Sequence, residues 1–130
     1  MKSFKGKVAV VTGAASGIGR ALATYCAQKE MKIVLADIEQ SALIQTESDL
    51  VAEGADVIAV LTDVSKSLSV ETLAQKTLES FGSIHLLFNH AGVATGSTIW
   101  GSTLAEINAK VKTSVLCPGW VRTRILNSKR

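Results

Sequence analysis

The sequence predicts an α/β fold, a doubly wound parallel sheet of about five strands, and three observations predict it. Short apolar runs rich in Val, Ile and Leu alternate with longer stretches of helical spacing from Lys7 to Asn89. That order is the pattern of parallel strands joined by crossover helices. The runs are continuously apolar rather than alternating, as in strands covered on both faces. A composition of 47% hydrophobic and 19% charged residues over 130 positions supports a single domain with a real core and argues against disorder.

The first strand is read over Lys7–Thr12 and the first helix from about Gly17 to Lys29. In that helix Ile18, Leu22, Tyr25 and Cys26 fall on one side, the face expected to pack on the sheet. Lys32–Asp37 is the second strand. A helix from about Gln40 to Glu53 follows and stops at Gly54, a residue suited to a helix C-terminus. Asp56–Thr62 reads as the third strand, Ser67–Ser80 as a helix closed by Gly82, and Ile84–Asn89 as the fourth strand. Beyond Gly92 the pattern loosens into a Thr/Ser/Gly-rich loop, Val93–Gly101, which contains Trp100. A short helix is expected from Ser102, its cap, to about Asn108. A last strand is expected over Lys112–Cys117, ended by Pro118-Gly119, with a short helix over Val121–Asn127. The gap before that strand exceeds the dozen or so residues a parallel crossover needs, so it can reach the sheet beside the fourth strand.

The net charge is +3, with basic residues scattered except for Arg122, Arg124, Lys129 and Arg130. That tail lacks interleaved aromatic residues and reads as a solvated terminus, not a nucleic-acid surface. The apolar run after Lys2, Lys5 and Lys7 is too short for the about 7–15 residues of a signal core. No stretch approaches the roughly 18 apolar residues of a membrane span. Cys26 and Cys117 have neither metal nor redox spacing and are expected to be buried thiols. A cytoplasmic protein with no metal site, no nucleic-acid partner and no membrane partner is expected.

The functional signal lies in Lys7–Gly19. A strand ends in glycines at 13, 17 and 19, and a helix begins there. The amides of a helix start have no intrahelical acceptor, and the helix dipole adds partial positive charge, so this junction suits a dinucleotide pyrophosphate. In an open parallel sheet ligands bind off the carboxyl ends of the strands. Those ends carry Thr12-Gly13, Asp37, Asp63-Val64 and Asn89-His90-Ala91-Gly92, which together form one rim. Asp37 lies 18 residues beyond Gly19, near the spacing at which a carboxylate accepts the ribose hydroxyls. Ile38 and Glu39 follow it, with no base to meet a 2′-phosphate, so NAD(H) is expected over NADP(H). Asp37 as a cap of the second helix is the structural alternative. Arg20 fits either a phosphate contact or a helix-surface charge.

These residues resemble the short-chain dehydrogenase/reductase family. Thr12–Gly19 matches its Thr-Gly-x-x-x-Gly-x-Gly loop, and Asp63-Val64 matches the Asp-Val at its adenine pocket. Asn89-His90-Ala91-Gly92 is similar to Asn-Asn-Ala-Gly, with His90 replacing the second Asn, and Cys117–Thr123 resembles its Pro-Gly turn. The resemblance covers residues 5–105 and then 107–127. It implies a Rossmann-like fold in truncated form and an oxidoreductase ancestry. It also implies that Gly13, Ser16, Gly17, Ile18 and Gly19 hold the pyrophosphate and Asp37 the ribose. Asp63 and Val64 would flank the adenine, with Asn89, Ala91 and Gly92 along the pocket floor.

One departure is large. The family places a catalytic serine strand and a Tyr-x-x-x-Lys helix between the Asn-Asn-Ala-Gly strand and the Pro-Gly turn. Here Trp100–Ala105 resembles the start of the intervening helix, while Asn108–Lys112 already resembles the approach to the Pro-Gly strand. The catalytic section is therefore expected to be missing, with a junction near Glu106. Tyr25 and Lys29 satisfy Tyr-x-x-x-Lys by spacing, but they sit well inside the first helix, away from its pyrophosphate end. Asn108, Ser97, Ser102, Ser114 and His85 offer no placed catalytic group, and His90 reads as a hydrogen-bonder at the rim. The expectation is an NAD(H)-binding chain without catalytic residues of its own, its substrate and family dimer interface lost. The alternatives are a non-catalytic fragment that associates with a full-length relative and an active enzyme using His90 as its acid.

Overall fold

A computed structural model of the chain describes residues 2–92. The expected loop 93–101, the short helices, the last strand Lys112–Cys117 and the junction near Glu106 lie outside the described residues. Within them the elements alternate as expected: β1 (Val8–Thr12), α1 (Gly17–Gln28), β2 (Lys32–Asp37), α2 (Gln40–Ala52), β3 (Val57–Leu61), α3 (Ser67–Phe81) and β4 (Leu86–Asn89). The strands form one sheet in the order β3-β2-β1-β4, with every pairing parallel. The chain builds outward from β1 to β3 and then crosses back to place β4 on the other side of β1. That reversal opens a crevice at the carboxyl ends of β1 and β4, where doubly wound sheets bind ligands.

The two sheet faces are packed separately. Ala9, Val11, Ile33, Leu35 and Val57 meet Ala23 and Cys26 of α1 and Leu43 and Leu50 of α2. Val8, Val10, Val34, Ala36 and Val60 meet Leu73 on the α3 side. Continuous burial explains why β1 and β2 read as unbroken apolar runs. Fully burying one such side chain contributes roughly 1.5–3 kcal/mol.

The face of α1 differs from the sequence reading. Its buried residues are Gly19, Ala23 and Cys26, with Leu22 partly buried, while Ile18 is 66% and Tyr25 57% exposed. The helix turns its small side chains to the sheet because it approaches β1 too closely for bulky ones. Lys29 Nζ lies 5.2 Å from the Tyr25 ring centroid, so the Tyr-x-x-x-Lys pair is a surface cation–π contact. β4 also starts later than Ile84. There the Val8 N–H donates to His85 Nδ1 at 3.0 Å and the His85 N–H to the Val8 carbonyl at 3.0 Å, before the ladder proper begins at Leu86.

Two helices end in the same way with different residues. After α2, Gly54 N–H donates to the Val51 carbonyl and Ala55 N–H to that of Leu50, the paired bonds of a Schellman stop, with Gly54 at φ +87°. After α1, Glu30 N–H donates to Ala27 and Met31 N–H to Cys26, but here the left-handed position is held by Glu30 at φ +57°. Glu30 pairs with Lys5 at 2.6 Å, an exposed contact that water screens. Glu30→Gly should therefore stabilise the chain by about 0.5–1 kcal/mol, since the left-handed penalty outweighs both the lost ion pair and the added chain freedom. A shift of the urea midpoint to higher concentration checks this, and a shift to lower concentration refutes it.

Candidate functional site

The strand ends are drawn together by hydrogen bonds from β1, β2 and α2. Thr12 is fully buried, and its hydroxyl accepts the backbone N–H groups of His90 and Ala91, each at 3.0 Å. The same hydroxyl donates to the Phe88 carbonyl at 3.4 Å. It thus fastens the segment after β4 to the end of β1. On the other side, the Ala14 N–H donates to the Ala36 carbonyl at 3.2 Å and the Ala15 N–H to Asp37 Oδ2 at 2.9 Å. The Thr46 hydroxyl of α2 shares its hydrogen between the Ala15 carbonyl at 3.2 Å and the Ala42 carbonyl of its own helix at 3.0 Å.

Glycine is required twice in this turn for different reasons. A Cβ on Gly19 would lie 1.9 Å from the Gly13 carbonyl oxygen, which no side-chain adjustment relieves. Gly17 has φ +54° with nothing within 4 Å of a built Cβ, so its constraint is conformational and the space beside it is open. Ser16 precedes α1 in extended conformation with no side-chain cap bond, and the first turn of α1 contains no acidic residue. Arg20 N–H donates to the Ser16 carbonyl at 3.2 Å, which leaves the preceding amides at Gly17, Ile18 and Gly19 as those a helix start presents outward. Ser16, Gly17 and Ile18 are exposed. Open space, outward amides and a first helical turn without acidic residues fit a pyrophosphate.

Asp37 ends β2. Its Oδ1 accepts the Glu39 N–H at 3.0 Å while Oδ2 holds Ala15. The residue before α2 is Glu39, with no side-chain cap bond, so Asp37 spans from β2 to the glycine turn and does not cap α2. A carboxylate has about four acceptor positions, so two remain for ribose hydroxyls. Arg20 is committed elsewhere, with Nη2 2.6 Å from Asp49 Oδ2, while Gln45 Nε2 donates to Asp49 Oδ1 at 2.8 Å. Arg20 is thus a link between α1 and α2.

Asp63 and Val64 lie between β3 and α3. The Asp63 carboxylate accepts the Ser65 hydroxyl at 2.6 Å and the Ser65 N–H at 3.0 Å, and its own N–H donates to Ser69 Oγ at 2.9 Å. The Ser65 hydroxyl and amide, with a smaller contribution from Lys66, hold the Asp63 carboxyl below its ordinary value. Val64 is half-buried and Asn89 exposed, with Asn89 in register with Thr12. Ala91 packs against Gly13, where a Cβ would meet the Ala91 Cα at 3.1 Å. Gly92 ends the described segment. His90 sets its ring edge beside both Gly13 and Gly19, with Cδ2 3.2 and 3.0 Å from the built Cβ positions.

The sequence reading missed the anchors Thr46 and Ala15. A threonine on α2 gave no signal of this contact, since a helical hydroxyl can bond the carbonyl four residues before it, as Thr46 also does with Ala42. Among the described residues no group of three or more His, Cys, Asp or Glu could hold a metal, and no helix is long and apolar enough to cross a membrane. A cleft of about 380 Å³ lined by Gly6, Met31, Gly54 and Asp56 lies at the opposite end of the strands and shares no residue with the rim.

Comparison with known proteins agrees with this geometry. A family model described as short chain dehydrogenase matches residues 7–115. The CLA biosynthesis dehydrogenase/reductase of Lactiplantibacillus plantarum is 42% identical over 100 residues, covering 77% of this chain and 35% of its own length. A short chain dehydrogenase/reductase from Burkholderia phymatum in complex with NAD superposes with a TM-score of 0.75 at 43% identity, covering 91% of this chain and 46% of that one. The L-sorbose reductase of Gluconobacter frateurii, complexed with NADPH and L-sorbose, gives a TM-score of 0.83 at 30% identity over 88% and 44%. This chain therefore spans about a third to a half of the length of these proteins.

Gly19→Ala should displace the turn and destabilise the chain by more than about 2 kcal/mol, as overpacking against fixed backbone does. Gly17→Ala should cost only about 1 kcal/mol, the backbone penalty alone. Equal melting temperatures for the two variants would contradict this ranking. Acid should also act on the Asp63 turn. Its carboxyl is lowered in the folded state, so the stability it contributes is present above the ordinary 3.8 and lost as pH falls through the lowered value. Asp63→Asn should flatten the loss of stability below that pH in acid titrations followed by circular dichroism, and an unchanged slope would refute the role.

Proposed function

Because this chain belongs to the short chain dehydrogenase family, with its model matched over residues 7–115, we propose that it binds NAD(H) at the rim formed by β1, β2 and β4. Hydride transfer by its own residues is not part of this reading. The observation that carries it is Asp37, whose carboxylate stands at the end of β2 tied to the glycine turn, with Ile38 and Glu39 after it. A ribose with free hydroxyls can donate to that carboxylate, whereas a 2′-phosphate brings like charge against it. Relatives bind both forms, since the Burkholderia protein is in complex with NAD and the sorbose reductase with NADPH. The pairing of Arg20 with Asp49 supports the NAD side, because it engages the basic residue nearest the turn.

Gly13, Ser16, Gly17, Ile18 and Gly19 would hold the pyrophosphate, Asp37 the adenosine ribose, Asp63 and Val64 the adenine, and Asn89, Ala91 and Gly92 the pocket floor. The cofactor would supply the hydride. The lack of turnover rests on the missing catalytic section read from the sequence and on the surface position of Tyr25 and Lys29, remote in role from any substrate oxygen.

A second reading, association with a longer relative, is favoured by one observation. Among the described residues β4 pairs with β1 alone, and Leu86, Leu87 and Phe88 are only half-buried. A sharp monomer peak with cooperative melting would count against it.

Fluorescence titration should show saturable NADH binding, with NADPH at least about tenfold weaker, the equivalent of roughly 1.4 kcal/mol. No saturation at millimolar NADH sinks the proposal. With a panel of alcohols and ketones the nicotinamide absorbance should stay constant; turnover abolished by His90→Ala would instead establish His90 as the acid.

A further inference from the structure

Ala15 is 4% exposed and is held from both sides of its peptide units. Its N–H donates to Asp37 Oδ2 at 2.9 Å, and its carbonyl lies 3.2 Å from the fully buried Thr46 hydroxyl, whose one hydrogen it shares with the Ala42 carbonyl at 3.0 Å. The preceding Ala14 N–H is bonded to the Ala36 carbonyl at 3.2 Å. Of these three bonds only the one to Asp37 has a charged acceptor, which makes it the strongest, and it is half-buried. Ser16 and the outward amides of α1 follow directly. Their aim depends on where Ala14 and Ala15 are held.

We propose that Asp37 is a positioning residue for the glycine turn as well as the acceptor for ribose, so that one carboxylate governs recognition of both the sugar and the pyrophosphate. The inference deepens the NAD(H) reading and rests on it for the ligand, but the clamp itself is a property of the ligand-free chain. Its two roles are compatible because Ala15 and Glu39 occupy about half of the acceptor positions of the carboxylate. They are also coupled. A 2′-phosphate that repels the carboxylate pulls on Ala15 and disturbs the amides that face the pyrophosphate. Replacing Asp37 to admit NADP(H) would then weaken binding of the phosphates common to both cofactors.

The test uses the whole chain with Asp37→Ala, and Thr46→Val as a second variant that releases the Ala15 carbonyl without touching the ribose acceptor. The first readout is hydrogen exchange at the Ala14 amide, which neither side chain contacts, with the β1 amides as a control for global opening. The second is the affinity of inorganic pyrophosphate, a probe with no ribose, followed by phosphorus NMR. Asp37→Ala should speed Ala14 exchange and weaken pyrophosphate by about tenfold each, the fold-change of one lost charge-assisted bond, with Thr46→Val moving both in the same direction. Ala14 exchange within about twofold of the parent in Asp37→Ala, the scale of ordinary surface substitutions, would overturn the clamp. If the β1 amides also accelerate in Asp37→Ala, the Thr46→Val result decides by the same criteria. If pyrophosphate does not bind the parent chain, the cofactor reading fails while Ala14 exchange still decides the clamp.

Discussion

No side chain fits between the start of α1 and the carbonyl of Gly13. That contact, which would put a methyl group 1.9 Å from the oxygen, sets the depth at which α1 lies on the sheet. At that depth Gly19, Ala23 and Cys26 are buried, Leu22 and Ala27 pack at the margin, and Ile18 and Tyr25 are turned out. The same contact brings the first amides of the helix to the carboxyl end of β1, where a turn one residue longer or bulkier would hold them away. Close packing and the proposed anion recognition are here one constraint, because a backbone that is to approach a ligand must first approach itself.

Around this contact the site is assembled from residues far apart in the chain. Thr12 joins the end of β1 to the segment after β4, Asp37 joins the end of β2 to the turn, and Thr46 joins α2 to it. Each bond involves a buried or half-buried polar group, for which a lost partner costs about 1–3 kcal/mol. The rim is thereby a stiff part of a loop-rich surface. Stiffness matters for a pyrophosphate site because outward amides attract an anion usefully only when their directions are fixed in advance.

The fold was legible because its central strands are apolar throughout and two of the three described helices end at glycines. The continuous runs at Val8–Val11 and Ile33–Ala36 correspond to strands covered on both faces, and Gly54 and Gly82 sit at positive φ where α2 and α3 stop. The stop at Glu30 was not legible, since a glutamate gives no sign of left-handed backbone. The face of α1 was half read: Leu22 and Cys26 do pack on the sheet, while Ile18 and Tyr25 do not, because apolar periodicity weights large side chains and a close helix–sheet contact selects small ones. Asp37 was legible as a rim residue from its spacing. Its bond to Ala15 was not, because only the folded sheet brings positions 15 and 37 together. The cap alternative differs for a related reason: Glu39 takes the cap position of α2, and Asp37 uses one oxygen on the Glu39 N–H and the other on Ala15.

The two borders of the sheet are chemically unequal. On β3, the Ala59 N–H at the centre of the strand donates to Glu47 Oε1 of α2 at 2.8 Å. A further strand could pair there only by evicting a carboxylate from an amide, so this border is closed from within by the helix that covers it. The other border among the described residues is β4, which pairs with β1 alone. A border whose central amide is already taken offers a neighbouring strand one donor fewer than an open one. Glu47 thus caps an edge amide from within the fold and takes no part in the rim.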